Sequence, residues 1–109
     1  MKLLVAIVQD EDADDLLTAL TARHFRVTRV ASTGGLLQTG STALFLGVDD
    51  ADVSPATTIV RTVCRRRTEM VVPFTPALEP GLLYGTENFE VEVGGATLIT
   101  LHVDRFERL

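Results

Sequence analysis

The sequence predicts an α+β fold in which two amphipathic helices cover one face of an antiparallel β-sheet. Strand-like runs and helical stripes follow one another in the order β-α-β-β-α-β, with an inserted loop and an extra strand before the end. Hydrophobic residues make up 46% and charged residues 23% of the 109 residues, which is typical of a folded globular protein. We therefore expect residues 1–109 to form one domain.

The first strand and the first helix are predicted by a change of hydrophobic period. Residues 2–9 are apolar and rich in β-branched side chains, which favours a strand. Asp10 is a suitable N-cap, and the acids that follow it suit the first turn of a helix. A helix over 11–23 is indicated by apolar residues at three- and four-residue spacing, namely Ala13, Leu16, Leu17 and Leu20.

The next two strands enclose a glycine-containing loop. Residues 25–33 regain strand character, and the period of two places Arg26 and Thr28 on the face opposite Val27. Gly34 and Gly35 interrupt this strand, and residues 36–41 form a short loop. Residues 42–48 are again almost continuously apolar, which predicts a third strand.

The second half repeats this order and then departs from it. Ser54 and Pro55 suit the N-cap and first position of a helix that ends near residues 65–67. A strand is predicted from Met70, followed by a long irregular stretch with three prolines. Residues 89–93 alternate apolar and acidic side chains, a glycine pair at 94–95 makes a turn, and 96–103 form the last strand.

This order of elements is the ferredoxin-like split βαβ arrangement, which has two helices on one face of its sheet. The strands over 2–9, 42–48 and 96–103 are apolar on both sides, whereas the helices cover only one side. An uncovered face of that character would be a large sticky patch. The pattern therefore predicts self-association through the bare face, without fixing the number of subunits.

Charge and cysteine content narrow the class of protein. The formal net charge of −5 argues against broad binding to DNA or RNA, although a local arginine site could still bind an anionic ligand. A single cysteine, Cys64, permits no internal disulfide and suits a reducing compartment. The apolar N-terminus is too short to span a membrane, so we expect a cytoplasmic protein without membrane insertion.

Two features of the sequence could bind an anion. Residues 35–42 have the glycine spacing of a phosphate-binding loop but place Ser41 where the lysine should stand, so an NTPase is disfavoured. Their backbone N–H groups could still form an anion nest, and a plain hairpin loop is an equal alternative. Arg26 and Thr28 could reach the same phosphate, although a solvated strand face is the simpler interpretation of that pair.

The remaining polar residues indicate neither catalysis nor a metal site. His24 and His102 lack further ligands near them in the sequence, and Cys64 lies on the apolar stripe of the second helix. The arginines at 65–67 are explained by the dipole of that helix. Because no nucleophile–base pair or metal set can be identified, we expect a protein that is not an enzyme and needs no cofactor.

Several blocks of the sequence resemble the PII-like cyclic-di-AMP receptor family. They are residues 7–10, 25–28, 31–35, 91–97 and 103–106, in the family's order and spacing. The resemblance implies a ferredoxin-like fold, a homotrimer with ligand sites between subunits, and loops that the nucleotide orders for an unidentified protein partner. The ligand positions that it implies are Arg26, Thr28, Gly35, Leu36, Leu37, Ser41 and Gly47.

This chain departs from the family at two of those positions. Leu36 stands where the family favours phenylalanine, which forfeits ring stacking on adenine worth about 1 kcal/mol. Ser41 stands where the family favours asparagine and offers only a hydroxyl. A sensor of ATP, ADP or another adenine nucleotide, and a ligand-free interaction scaffold, are therefore alternatives to a cyclic-di-AMP receptor.

Overall fold

The computed structural model describes residues 1–30, 40–71 and 89–109. It contains four strands of a main sheet, a separate strand pair and two helices, which confirms the predicted α+β class. In chain order the elements are β1 (Lys2–Gln9), α1 (Asp10–Ala22), β2 (Val27–Val30), β3 (Ser41–Val48), a 3-10 turn (Asp50–Asp52), α2 (Val53–Val63), β4 (Arg67–Val71), β5 (Phe89–Val93) and β6 (Ala96–His102).

The main sheet has the strand order β2-β3-β1-β6, and each neighbouring pair is antiparallel. This is the order of the predicted split βαβ arrangement. The insertion differs from the prediction, because β4 and β5 pair with each other in a second sheet. The strand predicted from Met70 begins three residues earlier, at Arg67.

Alternation along the strands directs one set of side chains towards the helices. Leu4 on β1 and Leu44 on β3 are fully buried, as are Leu16 and Leu20 on α1. The second helix adds Ala56 and other small apolar residues to the same core. The two amphipathic stripes read from the sequence therefore do pack on one face of the sheet.

The opposite face of the sheet has no covering element among the described residues. Large apolar side chains remain accessible there, with exposed fractions of 39% for Phe45, 40% for Ile99 and 48% for Leu101. These side chains form one continuous surface across the strands, since Val5 of β1 is the cross-strand partner of both Phe45 and Ile99. The bare apolar face predicted from the sequence is thus present in the chain.

The predicted helix caps are wrong. Gln9 occupies the N-cap of α1 without a side-chain hydrogen bond, and Asp10 is the first helical residue. The Asp10 carboxylate instead accepts a hydrogen bond of 2.5 Å from the hydroxyl of Thr42 on β3. The second helix begins at Val53, with Asp52 at its N-cap, because the 3-10 turn leads directly into it.

The base of the β4–β5 pair is tied to the start of α1. Arg67 donates a hydrogen bond of 2.8 Å to the buried carboxylate of Asp12, so its role is an ion pair rather than the predicted compensation of the helix dipole. That pairing raises the pKa of Arg67. The backbone N–H of Gly94 donates to the Gln9 side-chain oxygen at 2.8 Å. The base of the inserted strand pair, where β4 begins and β5 ends, is therefore held at the junction of β1 and α1.

Within the residues that the structure describes, no helix has the length and apolar character needed to cross a membrane.

Candidate functional site

The candidate site lies on the bare face of the sheet, where β2 and β3 run side by side. Thr28 is the cross-strand partner of Phe45, and Gly47 follows two residues further along β3. Arg26 immediately precedes β2 and shares the parity of Thr28. Because side chains alternate along strands, these four residues face the same side.

A cavity of about 570 Å³ opens over these residues. This volume falls within the range of ordinary small-molecule sites. The C-terminal segment after β6 forms a second wall, and the backbone N–H of Val103 donates to the carbonyl of Met1 at 3.2 Å. The lining residues are Met1, Leu3, Arg26, Thr28, Phe45, Gly47, Val103, Phe106 and Arg108.

The two arginines of the cavity provide its positive charge. Among the described residues neither Arg26 nor Arg108 forms a salt bridge. Arg29, on the opposite face of β2, is instead paired with Asp14 of α1 at 2.5 Å. An arginine without a protein carboxylate keeps its donor fork available for a phosphate or another anion.

A second and more polar cavity of about 250 Å³ adjoins the first. Arg26, Gly47 and Met1 line both cavities, and His24, Asp49 and Asp52 contribute polar groups to the smaller one. Arg26 therefore contributes to the walls of both cavities. Such an arrangement suits a ligand that carries both an aromatic base and a charged group.

Gly47 lines the cavity without a side chain to fill it. A Cβ atom at this position would lie 3.3 Å from the terminal methyl carbon of Met1, so any side chain would push against that residue. Glycine also leaves the backbone of β3 open to close approach by a ligand. This contribution depends on the missing side chain and not on backbone strain.

The structure brings together three of the residues predicted as ligand contacts, Arg26, Thr28 and Gly47. Ser41 shares their face of β3 but pairs with Gln9 at the other end of the strand, six residues before Gly47. Six residues of strand span about 20 Å, so Ser41 is remote from the cavity within one chain. The predicted contacts Gly35, Leu36 and Leu37 lie outside the described residues.

Sequence reasoning missed the aromatic and C-terminal parts of this site. Phe45 was detectable in principle, because it shares the parity of Gly47 on β3 and an aromatic ring there would face the bare side. Phe106 and Arg108 follow the last strand in a segment without helix or strand, where periodicity gives no direction. Their place in the cavity wall beside Met1 therefore becomes visible only in the structure.

The cysteine and one histidine that could be reactive, Cys64 and His102, lie outside the cavity. Cys64 is buried, as its place on the helical stripe predicted, and burial raises the pKa of its thiol to about 11. Such a thiol stays protonated and unreactive at neutral pH. His102 contacts Lys2 at 3.3 Å and Asp104 at 3.3 Å on the surface. In the part of the chain that the structure describes, no three His, Cys, Asp or Glu side chains are grouped to hold a metal.

Comparison with known proteins identifies the family to which the chain belongs. A sequence model of the cyclic-di-AMP receptor family matches residues 1–109. The chain belongs to the cyclic-di-AMP receptor family. Membership of a receptor family implies a binding protein rather than an enzyme.

A solved structure has the same fold. It is the crystal structure of a functionally unknown protein from Pediococcus pentosaceus ATCC 25745, with a TM-score of 0.75 and 36% sequence identity. The alignment covers 99% of this chain and 96% of that chain. At that identity and coverage, the similarity extends over the elements that frame the bare face as well as over the helices.

Proposed function

We propose that this protein is a signal receptor that binds cyclic-di-AMP over the bare face of its sheet and performs no chemistry on it. The observation that carries the proposal is the guanidinium of Arg26, which pairs with no carboxylate among the described residues and lies beside Thr28 and Gly47 in an open cavity of a cyclic-di-AMP receptor family member. A cyclic dinucleotide presents two phosphates and two flat bases. Arg26 offers a donor fork for a phosphate, and the larger cavity that it lines also offers the apolar surface of Phe45 for a base.

In this proposal each residue has a distinct role. Arg26 binds a phosphate through its donor fork, and the hydroxyl of Thr28 donates to the phosphate or ribose. Gly47 admits a base close to the backbone of β3. Gly35, Leu36, Leu37 and Ser41 remain predicted contacts, with apolar packing from Leu36 replacing the family's aromatic ring.

The distance between Ser41 and Gly47 supports a site shared by two subunits. Both residues face the bare side of β3, yet about 20 Å of strand separates them. A cleft between neighbouring chains could bring Ser41 of one chain towards Arg26 of another. We therefore propose that residues 1–109 form one receptor domain and assemble as a homotrimer through the bare apolar face.

Sedimentation equilibrium tests the assembly. We expect a particle of three times the chain mass of 11.8 kDa, because burying the exposed Ile99 and Leu101 offsets the cost of association. A mass of one chain at micromolar concentration would contradict the trimer. That result would not bear on nucleotide binding, which is tested separately by titration.

The receptor role also implies a readout. We propose that the protein acts in the cytoplasm and that a protein partner recognises the ligand-bound state through reordered loops. The buried free thiol of Cys64 suits a reducing compartment. The family's description as a receptor supports signalling in general, and the partner must be a protein that distinguishes the two ligand states.

Isothermal titration with a panel of nucleotides tests the function. We expect micromolar or tighter binding of cyclic-di-AMP near one ligand per chain, with much weaker binding of ATP and of cyclic-di-GMP. Equal binding of ATP would favour an adenine-nucleotide sensor, the alternative that Leu36 and Ser41 suggest. Absence of heat with all three ligands would contradict the receptor and favour a protein-interaction scaffold.

A further inference from the structure

Phe45 occupies an unusual place for a phenylalanine on a central strand. It lies in β3, which has neighbours on both sides, yet 39% of its surface is exposed. Its cross-strand partners are Thr28 on β2 and Val5 on β1, and it forms part of the wall of the 570 Å³ cavity. The ring is thus held on rigid backbone with part of its surface open to that cavity.

The bare face divides into two halves of different character around this ring. The half built on β1 and β6 is apolar and includes Val5, Ile99 and Leu101. The half built on β2 and β3 carries the cation and hydroxyl of Arg26 and Thr28. Phe45 stands at the boundary, where an apolar surface meets the groups suited to a phosphate.

The spacing along β3 matches the parts of a nucleotide. Phe45 and Gly47 are two residues apart, which on a strand corresponds to about 7 Å. Arg26 lines the cavity beside Gly47, and Thr28 is directly across from Phe45. A phosphate held by Arg26 would therefore leave room for a ribose before the attached base reaches the ring of Phe45.

We propose that Phe45 is the stacking platform for one purine base of the bound nucleotide. The inference rests on the proposed function and adds the residue that holds the base. Aromatic rings stack on bases with a strength of about 1–3 kcal/mol by alanine substitution. A ring on a strand loses little freedom on binding, because neighbouring strands already fix its backbone.

A purely structural role for Phe45 makes different predictions. If the ring only filled a contact between subunits, leucine would replace it with little effect on ligand affinity, and the nucleotide would not touch the side chain. The chain contains no tryptophan, so Phe45→Trp would introduce a single fluorophore at the position in question. Its emission reports contact with a base directly.

The test combines this probe with affinities of three substituted chains, measured on the assembled protein with cyclic-di-AMP. We expect Phe45→Leu to weaken binding about fivefold, because the ring contributes beyond its apolar area. Phe45→Tyr keeps the ring and should bind within about twofold of the unsubstituted protein. Ile99→Leu is the matched control, since Ile99 is equally exposed on the bare face but does not line the cavity.

The fluorescence of Phe45→Trp should fall when cyclic-di-AMP is added, in proportion to the bound fraction. Unchanged emission together with unchanged affinity of Phe45→Leu would overturn the stacking role while leaving the receptor intact. Failure of the unsubstituted protein to bind cyclic-di-AMP or ATP would instead overturn the proposed function, and the stacking role with it. The affinity of Phe45→Leu decides the matter if the tryptophan chain does not fold.

Discussion

Replacing Gly94 by alanine is expected to lower the free energy of unfolding by about 3 kcal/mol or more. Gly94 has a φ of +89°, a conformation that residues with a Cβ rarely adopt. A Cβ atom there would also lie 2.2 Å from the carbonyl oxygen of Arg65. Relief of that overlap requires a backbone shift, which would break the hydrogen bond from Gly94 to Gln9.

Gly40→Ala separates the two causes of this loss. Gly40 has nearly the same φ of +88°, but no atom of the described residues lies within 4 Å of the position that its Cβ would take. We therefore expect Gly40→Ala to cost only about 1 kcal/mol, from the left-handed backbone alone. Urea denaturation measures both losses. Equal losses in the two variants would show that the approach of Arg65 to Gly94 does not contribute.

Much of the fold could be predicted because its signals are local. The period of two over residues 2–9 and the helical stripe with Leu16 and Leu20 needed no knowledge of distant contacts. The bare face followed from the same reasoning, since two helices cannot cover both sides of a sheet. These predictions are confirmed by β1, α1 and the exposed Phe45.

Contacts between distant segments could not be predicted. Arg67 pairs with Asp12, which lies 55 residues earlier. The residues around either one give no indication that the two side chains meet. The same holds for Asp10, whose acidic side chain favours a cap in isolation but bonds to Thr42 across the fold. In both cases tertiary structure supplied a stronger partner than the local backbone.

Only part of the candidate site could be predicted, because one of its walls is formed by local strand geometry and the other by a distant segment. Arg26 and Thr28 share a face because strands alternate, and that relation is visible in the sequence. The second wall of the cavity is not, because Phe106 and Arg108 reach it through a segment without regular structure. The hydrogen bond from Val103 to Met1 extends the pairing of β6 with β1 as far as the start of that segment.

Removing the guanidinium of Arg26 is expected to produce the largest loss of ligand affinity. A hydrogen bond to a charged group contributes about 1.5–3 kcal/mol, which corresponds to roughly a tenfold to 150-fold weakening. Within the described part of the chain no carboxylate pairs with Arg26, so the full interaction is available to a phosphate. Stability should change little, because the side chain is exposed.

Arg29→Ala provides a matched control on the same strand. Arg29 is also an exposed arginine, but it points to the helical side of β2 and is paired with Asp14. Its removal costs an exposed ion pair worth less than about 1 kcal/mol of stability. Because it lies on the other face of the sheet, we expect the affinity for cyclic-di-AMP to stay within about twofold of the unsubstituted value.

Isothermal titration of cyclic-di-AMP into Arg26→Ala and Arg29→Ala, beside the unsubstituted chain, tests most directly that the nucleotide binds on the bare face. The expected result is a tenfold or greater loss of affinity for Arg26→Ala and an unchanged affinity for Arg29→Ala. Equal affinities in both variants, with the unsubstituted chain binding normally, would place the ligand elsewhere on the protein and contradict binding on the bare face.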